Sequence, residues 1–248
     1  MNINKVRKEG MNLNSVILIP AYEPDKKLIY LVDDLSNLSF YKIIVVNDGS
    51  SEKCSYIFDK IKEKVNCMVI NHLENRGKGS ALKTGMKEIL KIDNDIIGCI
   101  TVDADGQHLP KDILKMGEAL ENNKHSLILG CRDFLNGKVP NKSKIGNIIT
   151  RALFKSITGK YISDTQTGLR AIPRKHMERF CILRGEKYEF EINMLMEACR
   201  RNIDIQEIPI DTVYIDDNRS SHFNPFMDSL KIYKEIFKFA FKDYSIEQ

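Results

Sequence analysis

Four short apolar runs, each cut off by a polar turn, constrain this chain more than any other feature. They are Ser15-Val16-Ile17-Leu18-Ile19, Ile43-Ile44-Val45-Val46, Cys67-Met68-Val69-Ile70 and the run Ile96–Val102. Continuous runs without polar alternation read as strands buried on both faces. Helical patterns separate them. Leu28, Leu31, Val32 and Leu35 share one face of a helix over Lys26–Leu38, which Asp25 can cap. Ser50 and Ser51 can cap a second helix after the Gly49 turn, and Ala81–Leu90 reads as a third. Strands alternating with helices in this way predict an α/β fold, a parallel sheet with helices on both faces.

In such sheets ligands bind outside the carboxyl ends of the strands. Glu23, Asp48, the loop Arg76-Gly77-Lys78-Gly79 and the pair Asp103/Asp105 all follow strand ends, so they are expected along one edge. Asp103-Ala104-Asp105-Gly106-Gln107-His108 places two carboxylates two positions apart at a strand mouth, where they can converge on one hard cation. Arg132 follows a further apolar segment, Ser126–Gly130, and its fork of donors can clamp a phosphate. The glycine turn around Lys78 is not a phosphate loop, since His72 stands where that pattern needs its first glycine. A dinucleotide fingerprint fails as well, at Leu82. What survives is a basic loop at a helix entry, suited to an anion.

Ile19-Pro20-Ala21-Tyr22-Glu23, Val46-Asn47-Asp48-Gly49-Ser50, Asn75-Arg76-Gly77-Lys78-Gly79 and Asp103–His108 together resemble the family 2 glycosyltransferases of the GT-A fold. Within them the chain is most similar to the dolichol-phosphate mannosyltransferase and polyprenyl-phosphate glycosyltransferase branch, over roughly residues 14–222. The resemblance implies a mixed, mainly parallel sheet and a nucleotide-sugar donor, UDP- or GDP-linked. It implies that Pro20, Ala21, Tyr22, Glu23 and Asp48 bind the base and ribose, with Lys78 near them. Asp103 would face the ribose and metal, and Asp105 and Gln107 would hold Mg²⁺ or Mn²⁺ on the diphosphate. Such a cation stabilises the charge that develops on the leaving group.

Asp164-Thr165-Gln166-Thr167-Gly168-Leu169-Arg170 resembles the family's acceptor-side motif, which puts Asp164 near the sugar and gives Arg170 a structural or ion-paired role. By the same resemblance Glu189 or Glu191 points into the site as a base or acceptor-orienting group. Arg219, Ser221 and His222 belong to a closing loop that could fold over the diphosphate. Asp105, Asp164 and Glu191 are thus the catalytic candidates. The expected acceptor is polyprenyl phosphate, whose oxygen is already anionic, or else a glycan hydroxyl, which needs a base. Inversion at the anomeric carbon follows from the family in either case.

The chain of 248 residues is mildly basic, with a formal net charge of +4, which does not mark a nucleic-acid partner. No apolar run approaches the roughly 18–20 residues that span a bilayer, and Met1–Gly10 lacks the apolar core of a signal peptide. Six scattered cysteines with no C-x-x-C pair support neither zinc nor a disulfide framework, and they point to a reducing cytoplasm. A flexible lead over 1–13, a GT-A domain over 14–222 and a tail over 223–248 are expected. Ile208–Val213 alternates as an edge strand. Asn141–Lys160 reads as an amphipathic helix, with Ile145, Ile148, Ile149, Ala152, Leu153 and Ile157 apolar and Lys142, Lys144, Arg151 and Lys155 basic. Pro225–Lys242 is a second one, either lying peripherally on the inner face of the cell membrane or packing its apolar side on the domain. A processive synthase would need a tryptophan that the chain lacks. A nucleotidyltransferase would need a glycine-rich loop where Pro20–Glu23 stands. The intact Asp103, Asp105 and Gln107 argue against a catalytically silent nucleotide-sugar sensor.

Overall fold

All four apolar runs become strands of one seven-stranded sheet. The computed structural model of the chain describes residues 13–92, 95–133, 141–211 and 225–240. The strands are β1 (Leu13–Ala21), β2 (Phe40–Asn47), β3 (Cys67–Asn71), β4 (Gly98–Thr101), β5 (Leu127–Arg132), β6 (Arg170–Pro173) and β7 (Ile205–Ile210), in the spatial order β3-β2-β1-β4-β6-β5-β7. Neighbouring pairs are parallel except where β6 runs against both β4 and β5. The sheet is therefore mixed and mainly parallel. Val16 to Ile19 and Ile44 to Val46 are fully buried, as strands covered on both faces require.

The helices divide between the faces. On one side α1 (Lys27–Ser36), α2 (Ser55–Lys62) and α4 (Pro110–Asn122) close a core around Leu28, Val32, Ile57 and Ile113. On the other, α3 (Lys78–Ile89), α5 (Asn141–Thr158), α6 (Arg174–Cys181), α7 (Glu189–Arg200) and α8 (Pro225–Ala240) close a second around Met86, Phe154, Phe180 and Phe190. The buried side of α1 is Leu28, Leu31, Val32 and Leu35, and the Lys27 N–H donates to Asp25 Oδ1 at 2.8 Å. All six cysteines are free thiols, four of them buried.

Several elements depart from the sequence reading. β6 and α6 have no counterpart in it, because four residues ending in proline carry too little pattern to mark a strand. β7, at the sheet edge, begins at Ile205, before the alternation becomes visible. Another departure is α5, whose inner face is Asn147, Thr150 and Phe154 while Ile148, Ile149 and Ala152 face outward. In α8, Ile232 and Ile236 are buried against the domain, with Phe237 half exposed. No described helix is long and apolar enough to cross a membrane.

The antiparallel strand has a consequence for the site. Because Thr101 pairs with Arg170 and Leu129 also pairs with Arg170, the chain enters β6 at the edge where β4 and β5 leave. Residues 164–169 are thereby delivered beside Asp103 and Arg132.

Candidate active site

The first two strand-end loops are laced to each other. Glu23 has a positive φ of 46°. Its carboxylate accepts the Ser51 N–H at 2.6 Å and the Ser51 hydroxyl at 3.1 Å, while its own N–H donates to Ser50 Oγ at 2.9 Å. Both serines, expected to cap a helix, spend their side chains here instead. The 3₁₀ turn Glu52–Cys54 that follows has no side-chain cap. Ala21 is buried at the end of β1, Pro20 before it is half-buried, and Tyr22 is exposed at the edge.

Asp48 is 2% exposed, and both of its oxygens are engaged. Oδ1 accepts the Arg76 N–H at 3.0 Å and lies 2.7 Å from His72 Nδ1, and Oδ2 accepts the Gly77 N–H at 2.7 Å. His72 Nε2 in turn meets Thr84 Oγ1 at 2.9 Å. One buried carboxylate thus folds the Asn75–Gly77 loop onto the end of β2. The loop passes so close that a Cβ on Gly49, itself at φ 70°, would stand 2.1 Å from the Glu74 carbonyl carbon. Only glycine fits there.

At the centre lies Lys78, the first residue of α3. Its ammonium is 2.6 Å from Asp103 Oδ1 and 3.0 Å from Glu191 Oε1, with the Tyr188 ring 5.7 Å away. Burial works against its charge, but Asp103 and Glu191 outweigh that and hold the lysine protonated above its ordinary range. Burial likewise opposes the charge of Asp103, and Lys78 with His108 overcomes it and keeps the carboxyl well below the usual carboxylate range. His108 Nε2 stands 3.3 Å from Asp103 Oδ2, and its buried Nδ1 has no partner among the described residues. Asp105 differs. Burial and then the charge of Asp103 push its carboxyl up, with the Gln107 N–H at 3.1 Å as partial compensation. The structure therefore places Lys78 against Asp103 and Glu191.

The loop before β6 closes over this centre. A Cβ on Gly168 would fall 2.2 Å from Asp103 Oδ2, and the Thr101 hydroxyl donates to the Gly168 carbonyl at 2.7 Å. Asp164 is fully buried and takes Arg132 in a bidentate pair, Nε–Oδ2 2.7 Å and Nη2–Oδ1 3.0 Å. Arg170 is structural: its buried guanidinium donates to the carbonyls of Thr167 at 3.0 Å and Glu191 at 2.6 Å. The two glutamates of α7 take different partners, and the Oε2 of Glu189 is buried without one among the described residues. Glu189 turns back to accept the N–H groups of Glu186 and Lys187 at 3.1 and 3.2 Å, as an acid in a first helical turn does, while Glu191 reaches Lys78.

Asp103, Asp105, Gln107, Lys78, Glu191, Arg132 and Asp164 thus gather at one edge, with Tyr22, Glu23 and Asp48 on its β1–β2 side. Arg219, Ser221 and His222 lie outside the described residues. Sequence reading gave no role to His72, His108 or Gly168. The position of His72 directly after β3 was the available signal for the first, and its place within the Asp103–His108 motif for the second.

This sheet order, with its antiparallel β6 and its acidic edge after β4, defines a GT-A fold. Solved structures share it: glucosyl-3-phosphoglycerate synthase of Mycobacterium tuberculosis superposes with a TM-score of 0.65 over 100% of this chain and 86% of that chain, at 14% identity. The same enzyme crystallised with Mn²⁺, UDP and glucosyl-3-phosphoglycerate gives a TM-score of 0.63, over 94% of this chain and 80% of that one. Residues 16–181 match the model of glycosyl transferase family 2, and the chain belongs to that family of glycosyltransferases. The UDP-N-acetylglucosamine–dolichyl-phosphate N-acetylglucosaminyltransferase of Methanococcus voltae is 31% identical over 217 residues, 80% of this chain and 85% of that protein. The dolichyl-phosphate beta-glucosyltransferase of Dictyostelium discoideum is 28% identical over 253 residues, 93% of this chain and 75% of that one.

Proposed function

We propose that this glycosyltransferase moves a sugar from a UDP-sugar to a polyprenyl phosphate with inversion. The observation that carries the choice of acceptor is the state of the acceptor-side carboxylates. Asp164 is committed to Arg132 and Glu191 to Lys78, while Glu189 spends Oε1 on the N–H groups at its helix start and keeps a buried Oε2 without a partner among the described residues. A carboxylate locked to a cation makes a poor general base. An acceptor phosphate needs none, because its oxygen is already anionic at neutral pH and only has to be placed in line with the sugar C1. The relatives named for dolichyl phosphate support the same reading, and the neighbour crystallised with UDP supports the donor.

In this reading Arg132, its Nε and Nη2 held by Asp164, lends its positive charge to an anionic oxygen placed beside it. The acceptor oxygen attacks C1 as the bond from C1 to the diphosphate breaks, and the electron pair leaves with UDP. Lys78 keeps Asp103 ionised and holds the Glu191 carboxylate in place at 3.0 Å.

The edge also fits a divalent cation. Asp105 carries a carboxyl that burial and Asp103 push up, and Asp103, Asp105 and the Gln107 amide are hard oxygen donors. Among the described residues no cluster of three or more His, Cys, Asp or Glu could hold a metal alone. Mg²⁺ is held through one or two carboxylates and completes its shell with phosphate and water. Such an ion would supply neutralisation of the leaving diphosphate.

Calorimetric titration tests the donor half. UDP should bind at least tenfold more tightly with Mn²⁺ than without, GDP should bind more weakly, and Asp105→Asn should abolish the metal effect while leaving the melting temperature near wild type. UDP binding that ignores Mn²⁺ in the wild type would remove Asp105 from the centre.

A further inference from the structure

His72 is the first residue past β3, and its N–H donates to the Asn47 carbonyl at 2.8 Å, carrying the pairing of β2 and β3 one step further. Its side chain, 6% exposed, lies between Asp48 and Thr84 of α3. An ionised carboxylate only accepts, so Nδ1 carries the proton and donates to Asp48 Oδ1 at 2.7 Å. Nε2 meets the Thr84 hydroxyl at 2.9 Å, which fixes the plane of the ring. With both nitrogens engaged, the imidazole has no capacity left for a ligand of its own. It acts through Asp48.

An ionised carboxyl group offers about four acceptor positions. Among the described residues three donors occupy Asp48: the His72 ring and the Arg76 N–H on Oδ1, and the Gly77 N–H on Oδ2. One position remains, on Oδ2, and at 2% exposure Asp48 has surface for a single outside group. The fold puts that position where a nucleoside must lie. Gly77 is held by Asp48, and the next residue, Lys78, is held by Asp103 at the cation edge. Asp48 follows β2 on one side of β4, whereas Arg132 and Asp164 stand past β5 on the other. A diphosphate at Asp103 and Asp105, with the acceptor beside Arg132, therefore leaves its nucleoside the β1–β2 side.

Bases differ in the donors they bring. Uracil presents one ring N–H between two carbonyls, whereas guanine presents a ring N–H and an amino group side by side. A single vacant acceptor satisfies the first and leaves the second with a donor that has lost water and found no partner. We propose that His72 is the positioning residue that sets this selectivity: by occupying Oδ1 it leaves Asp48 one acceptor, so the pocket takes a uracil nucleotide and rejects a guanine one. The inference deepens the UDP-donor reading and rests on it.

Calorimetric titration of UDP, GDP and inosine diphosphate in the presence of Mn²⁺ tests it, on the wild type, His72→Phe and His72→Asn. The wild type should bind UDP about tenfold or more tighter than GDP, and should prefer inosine diphosphate, a purine of similar size without the amino group, to GDP by about fivefold or more. His72→Phe keeps a ring but frees Oδ1, so the two purine nucleotides should bind alike and the advantage of UDP over GDP should shrink by about fivefold. His72→Asn, whose amide nitrogen reaches the place of Nδ1, should keep the wild-type ratios. If His72 only shaped the loop, His72→Phe would weaken all three nucleotides alike and leave their ratios untouched. That result, beside tight UDP binding by the wild type, would overturn the role of His72 and leave the donor reading standing. A wild type that binds GDP and inosine diphosphate equally would overturn it without any variant having to fold. A wild type that binds none of the three would overturn the UDP-donor reading and the proposal together.

Discussion

Glu197 shows how a single side chain in this fold is stabilised against burial. It sits in α7 with a fully buried carboxylate that accepts from Arg179 at 2.5 Å, Arg200 at 2.8 Å and Arg201 at 2.6 Å. Burial opposes its charge, but hydrogen bonds from Arg200, Arg179 and Arg201 prevail and hold its carboxyl down to about 2. Its folded-state value lies below the unfolded value of 4.5. The stabilisation is therefore complete above about pH 4.5 and drains away as the pH falls toward 2. Glu197→Gln should cost about 3 kcal/mol at pH 7, the low end for breaking a buried ion pair, because Arg200 and Arg201 are half exposed and regain water. Urea unfolding of both proteins should show that difference shrinking below pH 4.5. An equal gap at pH 7 and pH 3 would contradict the assignment.

At the scale of elements, β6 ties the two halves of the site together. It inserts antiparallel between β4 and β5, and the loop before it passes Asp103 with room for nothing larger than glycine at 168. Gly168→Ala should lower turnover by about two orders of magnitude by displacing Asp103, since misplacement of about 1 Å is enough for that. Its backbone conformation suits alanine, so the melting temperature should fall only slightly, and a steady-state assay beside a thermal melt separates the two effects. α8 makes a different claim. Ile236 is fully buried, so Ile236→Ala should cost about 3 kcal/mol of stability, as the loss of buried methyl groups does. Denaturant titration would read no loss if α8 were only an appendage.

The parallel strands were legible in the sequence because burial on both faces leaves continuous apolar runs such as Val16–Ile19. β6 was not, because Arg170-Ala171-Ile172-Pro173 is held by pairing with strands far away in sequence and not by a local pattern. The site divides in the same way. Asp48, Asp103, Asp105 and Arg132 were visible as polar residues just past strand ends. Their partners were not, since the His72–Asp48, Arg132–Asp164 and Lys78–Glu191 contacts join separate loops and only the fold brings them together. For α5 the apolar period was visible, but not that polar contacts to residues 163–166 would turn it outward.

At the scale of the whole molecule, one edge of the sheet gathers carboxylates of which Asp103, Glu191 and Asp164 are paired with Lys78 or Arg132 while Asp105, among the described residues, is not. Lys78 bridges Asp103, in the loop after β4, and Glu191, in the first turn of α7. An acceptor that brings its own anionic oxygen needs no general base from this edge. The central claim is tested most directly by incubating the chain with Mn²⁺ and radiolabelled UDP-glucose or UDP-N-acetylglucosamine, offering polyprenyl phosphate and soluble glycans in separate reactions. The predicted result is label extracted into organic solvent only where polyprenyl phosphate is present. Label appearing on the glycans, with none on the lipid phosphate, would contradict it.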